Sequence, residues 1–137
     1  MNIEIRKYNE NDLEGVNKIL KQAFSVEKNN FNNTLCCEVV ACSDKEVCGY
    51  LLLTKVLNPV LNKYYCLVDY VCVLEEYRGL GIAKKLLAYA EDYAKENDAI
   101  YLQLSCSTYR TSAHKLYEDC GFIKRDSDLY RKEILWY

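Results

Sequence analysis

The stretch Val71-Cys72-Val73-Leu74-Glu75-Glu76-Tyr77-Arg78-Gly79-Leu80-Gly81-Ile82-Ala83 reads as the end of a strand, a turn holding two glycines, and the first turn of a helix. Upstream, Tyr65 to Leu74 is apolar on both alternating faces apart from Asp69, the pattern of a central strand covered on both sides. Downstream, from Gly81 to Asn97, Ala83, Leu86, Leu87, Ala90 and Ala94 recur at steps of three and four, with Lys84, Lys85, Asp92, Lys95 and Glu96 between them. A strand that runs through a glycine turn into a helix offers unpaired backbone N–H groups and the positive end of the helix dipole, which together attract phosphate. No Ser, Thr or Asp stands at the helix start, so a bound anion would fill the capping role. The pair Gly79-x-Gly81 taken alone also suits a plain tight turn. The dinucleotide fingerprint needs a third glycine where this chain has Lys84, and the Walker A spacing is missing as well.

Working outward, Ile3 and Ile5 alternate with polar residues as a short strand, and Asn11-Asp12 offers an N-cap for a helix with Leu13, Val16, Ile19, Leu20 and Ala23 on one face. Ser25 to Asn33 is polar, asparagine-rich and without periodicity, which predicts a loop. Cys37 to Cys42 and Val47 to Val56 read as strands joined by the turn Ser43-Asp44-Lys45-Glu46. Ile100, Leu102 and Leu104 alternate as a fifth strand. Ser112 to Cys120 predicts a short helix ended by Gly121. From Ile123 a last hairpin is expected, turning at Asp126-Ser127-Asp128. The order β-α-β-β-β-α-β-α-β-β is a mixed α/β layer architecture, and 137 residues suit one domain spanning 1–137.

Half the residues are apolar and 28% are charged, an ordinary globular balance. The first residues lack a charged-then-apolar signal pattern, and no apolar run reaches the roughly 18 residues a membrane span needs, so a cytoplasmic protein without membrane contact is expected. In that compartment the eight cysteines are expected as free thiols. Cys36 and Cys37 would point to opposite faces of a strand, and Cys66, Cys72, Cys106 and Cys120 are expected in the core. With one histidine and no CxxC, no metal site is expected. A net charge of −2 with scattered lysines argues against nucleic acid as partner.

The run from Val71 to Ala83 resembles the signature of the GNAT superfamily of N-acetyltransferases, [Arg/Gln]-x-x-Gly-x-[Gly/Ala], through Arg78, Gly81 and Ala83. A second element of that family, Ala-x-x-x-Tyr-x-x-x-Gly-Phe, is matched by Ala113, Tyr117, Gly121 and Phe122, one helix and one strand further on. The element order resembles the family fold over nearly the full chain. The resemblance implies acetyl-CoA as acyl donor. Amides from Gly79 to Lys84 (Gly79, Leu80, Gly81, Ile82, Ala83 and Lys84) would cradle its pyrophosphate beside Arg78. The main chain of Val71, Cys72 and Val73 would hydrogen-bond the pantetheine arm like an added strand, which leaves side-chain identity there free to vary. Cys72 then reads as a packing residue, since family members generally transfer the acyl group directly to the amine.

Acyl transfer from a thioester to an amine needs a neutral amine, a polarised carbonyl and help for the departing thiolate. Tyr117 matches the family's usual proton donor to that thiolate; the plainer reading is a tyrosine that packs its ring. Asp69 is a carboxylate in an apolar strand, where burial without a partner costs several kcal/mol. It stands where many family members carry a glutamate that takes the amine's proton, and the shorter aspartate suits a water relay; a structural ion pair is the alternative. Arg110, His114 and Tyr117 share a helix face if the helix reaches back to Arg110. His114 is a candidate for lining the acceptor pocket. Arg110 stands where many family members have asparagine, and is a candidate contact for coenzyme phosphate or for an acidic group of the substrate.

The function these residues predict is N-acetylation of a primary amine on a small molecule or a peptide, with a homodimer left open. The competing class is a GNAT-like domain that holds acyl-CoA without turnover, for which Tyr117 and Asp69 have no use. A third, an unrelated phosphate-binding protein, is disfavoured by the second motif. The resemblance implies that the acceptor pocket is shaped by the first helix and the loop after it, here roughly Phe24 to Thr34, and by the final hairpin, with Asp69 beside them. Glu27, Asp69, Asp126 and Asp128 there favour a cationic small amine, whereas Arg110 and His114 would suit a carboxylate-bearing one.

Overall fold

The computed structural model describes residues 2–30 and 34–136. In chain order the elements are β1 (Glu4–Lys7), α1 (Leu13–Phe24), β2 (Cys36–Cys42), β3 (Val47–Asn58), β4 (Lys63–Val73), α2 (Ile82–Glu96), β5 (Ala99–Gln103) and α3 (Thr111–Asp119), with 3-10 turns at Glu10–Asp12 and Glu75–Tyr77. The strands form one sheet in the order β1-β2-β3-β4-β5. Neighbours run antiparallel except the parallel pair β4 and β5, which the crossover helix α2 makes possible. This is the mixed α/β architecture expected.

Alternation along the strands sends residues to opposite faces, and a helix covers each. A Cβ at Gly49 would stand 3.1 Å from Ala41, Ile82 and Leu86, so glycine here lets the start of α2 lie directly on β3. The next residue, Tyr50, faces the α1 side and is 3% exposed. Val16, Ile19 and Leu20 of α1 and Ile82, Leu86, Leu87 and Ala90 of α2 close the core over Val39, Val40, Leu51 and Leu53. Burying each such side chain contributes about 1.5–3 kcal/mol. Leu13 and Ala23, at the ends of the α1 stripe, are only half-buried.

The entry to α1 differs from the expected Asn11-Asp12 cap. Asn9 caps the 3-10 turn, accepting from the Asn11 N–H at 3.0 Å, while Asp12 accepts from the Asn9 N–H at 2.8 Å. Asp12 also takes two bonds from the Arg6 guanidinium, at 2.8 and 2.9 Å. At 5% exposure it is well covered, and the Arg6 bonds hold its carboxyl below the usual range against the opposing effect of burial. Because the folded pKa is depressed, this stabilisation is present above the unfolded value of about 3.9 and is lost as pH falls through the folded one. Asp12→Ala is expected to cost about 2–3 kcal/mol at neutral pH. Urea unfolding at pH 7 and pH 3 checks this, since the gap between the two proteins should narrow in acid and a constant gap would remove the charge from the account.

Three further expectations are corrected. No strand forms between 123 and 136. Apart from Ile123, the apolar residues there come as Leu129-Tyr130 and Ile134-Leu135-Trp136, so no two-residue period turns one face inward, and Tyr130 and Trp136 are 90% and 91% exposed. Asp69 is exposed rather than buried, because α1 ends at Phe24 and β5 pairs with β4 no further than Leu67. Cys66 and Cys72 are buried, but Cys106 lies past the end of β5 and Cys120 at the end of α3, both half-buried. Of the loop from Ser25 to Asn33, positions 31–33 lie outside the described residues. All eight sulfurs are unpaired, with Cys37 buried and Cys36 half-buried on its neighbouring face. Among the described residues no helix is long and apolar enough to cross a membrane, and no group of His, Cys, Asp and Glu converges on a metal position.

Candidate functional site

The turn between β4 and α2 is built to leave amides open. Gly79 and Gly81 take φ of +80° and +78°, a region side chains disfavour, and a Cβ built on either meets nothing within 4 Å. Gly81 occupies the N-cap position of α2 without a side-chain cap, and no acidic residue stands in the first turn. The helix therefore presents its early N–H groups and dipole to an open surface, with Lys84 and Lys85 close by in sequence. Uncapped N–H groups, nearby lysines and the open space beside the glycines are features that suit an anionic group. Arg78 Nε donates to the Val73 carbonyl at 3.3 Å and ties the turn to the end of β4.

The strand feeding this turn carries a break in register. Leu52 of β3 faces Asp69, but Tyr50 faces Cys72, so Tyr70 and Val71 together stand opposite Leu51. Tyr70 takes φ of +55°, the left-handed conformation that absorbs such a bulge. On the other side of β4 the ladder to β5 ends at Leu67–Gln103. Because β5 ends at Gln103, the main chain of β4 from Asp69 to Val73 has no strand partner on that side among the described residues, an edge that an extended, amide-bearing chain can join.

Tyr117 of α3 is half-buried, its ring edge-on to Phe122 with centroids 5.9 Å apart, and it lies near enough to Cys72 of β4 to interact with it electrostatically. Burial, reinforced by nearby Cys106, pushes its phenol above the ordinary value, against an opposing pull from Arg110. It therefore keeps its proton at neutral pH and is a donor. Cys72 lies in the same field. Burial pushes its thiol up to about 12 although Arg78 and Arg110 oppose this, so it stays a protonated packing residue. Helix α3 starts at Thr111, so Arg110 caps it rather than sharing its face. The Arg110 guanidinium lies 5.8 Å from the Phe24 ring centroid, and Phe24 meets Tyr70 edge-on at 5.3 Å. His114 Nε2 lies 2.9 Å from the Ser107 carbonyl oxygen and pins the loop before α3. This bond makes His114 a support of the loop; no acceptor contact is needed to explain it.

Beside the bulge, a hollow of about 340 Å³ opens between the end of α1, residues 26–28, and strands β2 to β4. Leu20, Leu52 and Tyr70 form apolar walls, and Lys28, Glu38 and Tyr50 bring polar groups. Residues 26–28 of this lining fall inside the expected pocket segment Phe24 to Thr34, though sequence reading does not single out Lys28, and it does not anticipate Glu38, Tyr50 or Tyr70. Nothing local distinguishes them, since their shared position depends on strand register and on the bulge. Glu27 lines the hollow too, but it is paired with Lys21 at 2.9 Å on the surface. Asp126 and Asp128 lie on the exposed 123–136 segment.

Comparison with known proteins agrees with this geometry. Residues 3–122 match the Acetyltransferase (GNAT) family. A human protein, N-acetyltransferase 8B, is 30% identical over 94 residues, 69% of this chain and 41% of that protein. Streptothricin acetyltransferase of Escherichia coli is 26% identical over 87 residues, 64% of this chain and 47% of that protein. The chain thus spans less than half the length of these two relatives. A putative acetyltransferase from Agrobacterium tumefaciens superposes with a TM-score of 0.84 at 17% identity, over 95% of this chain and 99% of that one, a likeness of fold.

Proposed function

The chain belongs to the GNAT acetyltransferase family, and from that premise we propose that its 137 residues form one catalytic domain that moves an acetyl group from acetyl-CoA directly to a primary amine of a small molecule or a peptide. The observation that carries this reading is the open helix start at Gly79–Ile82 following the stretch of β4 that no strand pairs on the β5 side, with the protonated Tyr117 phenol near Cys72 of that stretch. Acetyl-CoA, when bound, supplies an activated thioester. The amides of residues 79–84 receive its diphosphate, and the edge at Val71 to Val73 aligns its arm. Tyr117 donates a hydrogen bond to the sulfur that leaves. Asp69, exposed and paired across the ladder with Leu52, would accept the amine's proton through water. The cytosol is the matching compartment, where eight unpaired thiols persist.

A panel of polyamines, aminoglycosides, amino acids and peptides, read by free thiol released from acetyl-CoA, tests the proposal; release no faster than the acceptor-free rate with every class would overturn it. Asp69→Asn is expected to slow turnover by about tenfold, below the roughly 100-fold or more of a directly positioned base because this carboxylate is exposed and acts through water. The loss should be largest at low pH, where most of the amine arrives protonated. A loss equal at all pH values would assign Asp69 to anchoring.

A further inference from the structure

The hollow beside the bulge already contains an alkylammonium. Lys28 Nζ stands 3.1 Å from Glu38 Oε1, with the two side chains 13% and 22% accessible. The same oxygen accepts the Tyr50 hydroxyl at 2.7 Å. The ammonium also lies 4.1 Å from the centroid of the Tyr8 ring. A carboxylate and the face of an aromatic ring, converging on one point, form the chemistry that selects a cationic amine over a neutral or anionic one.

The arrangement around Lys28 separates its backbone from its side chain. Asn17 of α1 holds the Lys28 main chain at both ends, receiving the N–H on Oδ1 at 2.8 Å and donating from Nδ2 to the carbonyl at 3.0 Å. The four-carbon stem can therefore swing away by rotation about its own bonds while the loop stays on α1. Glu38 would keep its Tyr50 bond when the lysine leaves, so the carboxylate remains oriented for a second cation. Tyr70 joins this place to the bare edge of β4, since it lines the hollow and is followed by Val71.

We propose that Glu38, steadied by Tyr50, is the seat for the ammonium of a primary alkylamine acceptor, and that Lys28 occupies this seat until the acceptor displaces it. This rests on the reading of the chain as an acyltransferase for amines. It identifies the acceptor class by the group that stands in for it, a primary ammonium on an unbranched alkyl stem. It also gives product a reason to leave, since an acetylated nitrogen carries no charge for Glu38 and Lys28 can return.

The test is calorimetric titration of pentylamine into the full chain without coenzyme, for the wild type, Lys28→Met and Glu38→Gln, with circular dichroism to confirm folding. If Lys28 holds the seat nine-tenths of the time, its removal should tighten pentylamine binding by about tenfold. Glu38→Gln should weaken binding at least as much. Lys28→Gln serves as a second neutral variant should Lys28→Met fail to fold, and Lys28→Arg, which keeps the charge, should show no tightening. Equal or weaker binding by the neutral Lys28 variants, or unchanged binding by Glu38→Gln, would overturn the proposal and leave the pair as a tie between loop and sheet. Binding with this pattern but no thiol release with any amine would overturn acyl transfer and leave the seat standing. Rapid acetylation of pentylamine that is indifferent to Glu38 would do the reverse.

Discussion

Tyr117→Phe is expected to lower kcat by about 100-fold, equivalent to about 2.7 kcal/mol, while leaving acetyl-CoA affinity within a factor of about two. The variant keeps the ring that packs edge-on against Phe122 and removes only the hydroxyl, so the fold around α3 has no reason to change. Burial holds this phenol above its ordinary value, which makes full proton transfer to a thiolate of pKa about 8.5 unfavourable. Its contribution is therefore a hydrogen bond that strengthens as charge develops on sulfur. Such an interaction appears in kcat rather than in ground-state binding. Ionisation of Tyr117 should cause no loss of rate below about pH 10. Steady-state kinetics of thiol release with calorimetric titration of acetyl-CoA separates the two quantities, and equal turnover by both proteins would leave Tyr117 as a packing residue.

The second large effect is expected on binding. Gly81→Val places a β-branched side chain at φ of +78°, where it costs about 1–3 kcal/mol of stability. No protein atom stands within 4 Å of the added Cβ, so the core is undisturbed and the obstruction falls on whatever approaches the turn from outside. Losing one or two charge-assisted bonds to a diphosphate, at about 1.5–3 kcal/mol each, should weaken acetyl-CoA by about 100-fold. Thermal unfolding of the free protein measures the strain, and titration of the folded variant measures the binding. A variant that is less stable but binds acetyl-CoA as tightly as the wild type would move the coenzyme away from this turn.

Some of this site was legible residue by residue. The apolar positions of α2 and the doubly apolar run of β4 carry their periods within a few residues, and the structure places both elements within one or two residues of the expected ends. The glycine turn was equally local, because an uncapped helix start is visible as the absence of Ser, Thr or Asp before Ile82. Asp69 misled for the opposite reason. Its neighbours in sequence are apolar, but its exposure depends on where α1 stops and where β5 parts from β4, two boundaries set by other segments. The expected hairpin after Ile123 failed because β-propensity without an alternating pattern names no face to bury.

By itself the sequence determined the elements through α3, their order, the glycine turn and the second motif that points to Tyr117, all of which depend on residues a turn or a strand apart. Only the tertiary structure decided that β4 would bulge at Tyr70, that its edge would stand bare beyond Leu67, and that Lys28, Glu38 and Tyr50 would share one hollow. Those facts arise from how β2, β3 and β4 align and from how α1 lies on them. Register and packing are properties of pairs of segments: a slip of one residue in β2 against β3 would turn Glu38 to the α2 face without altering any local pattern.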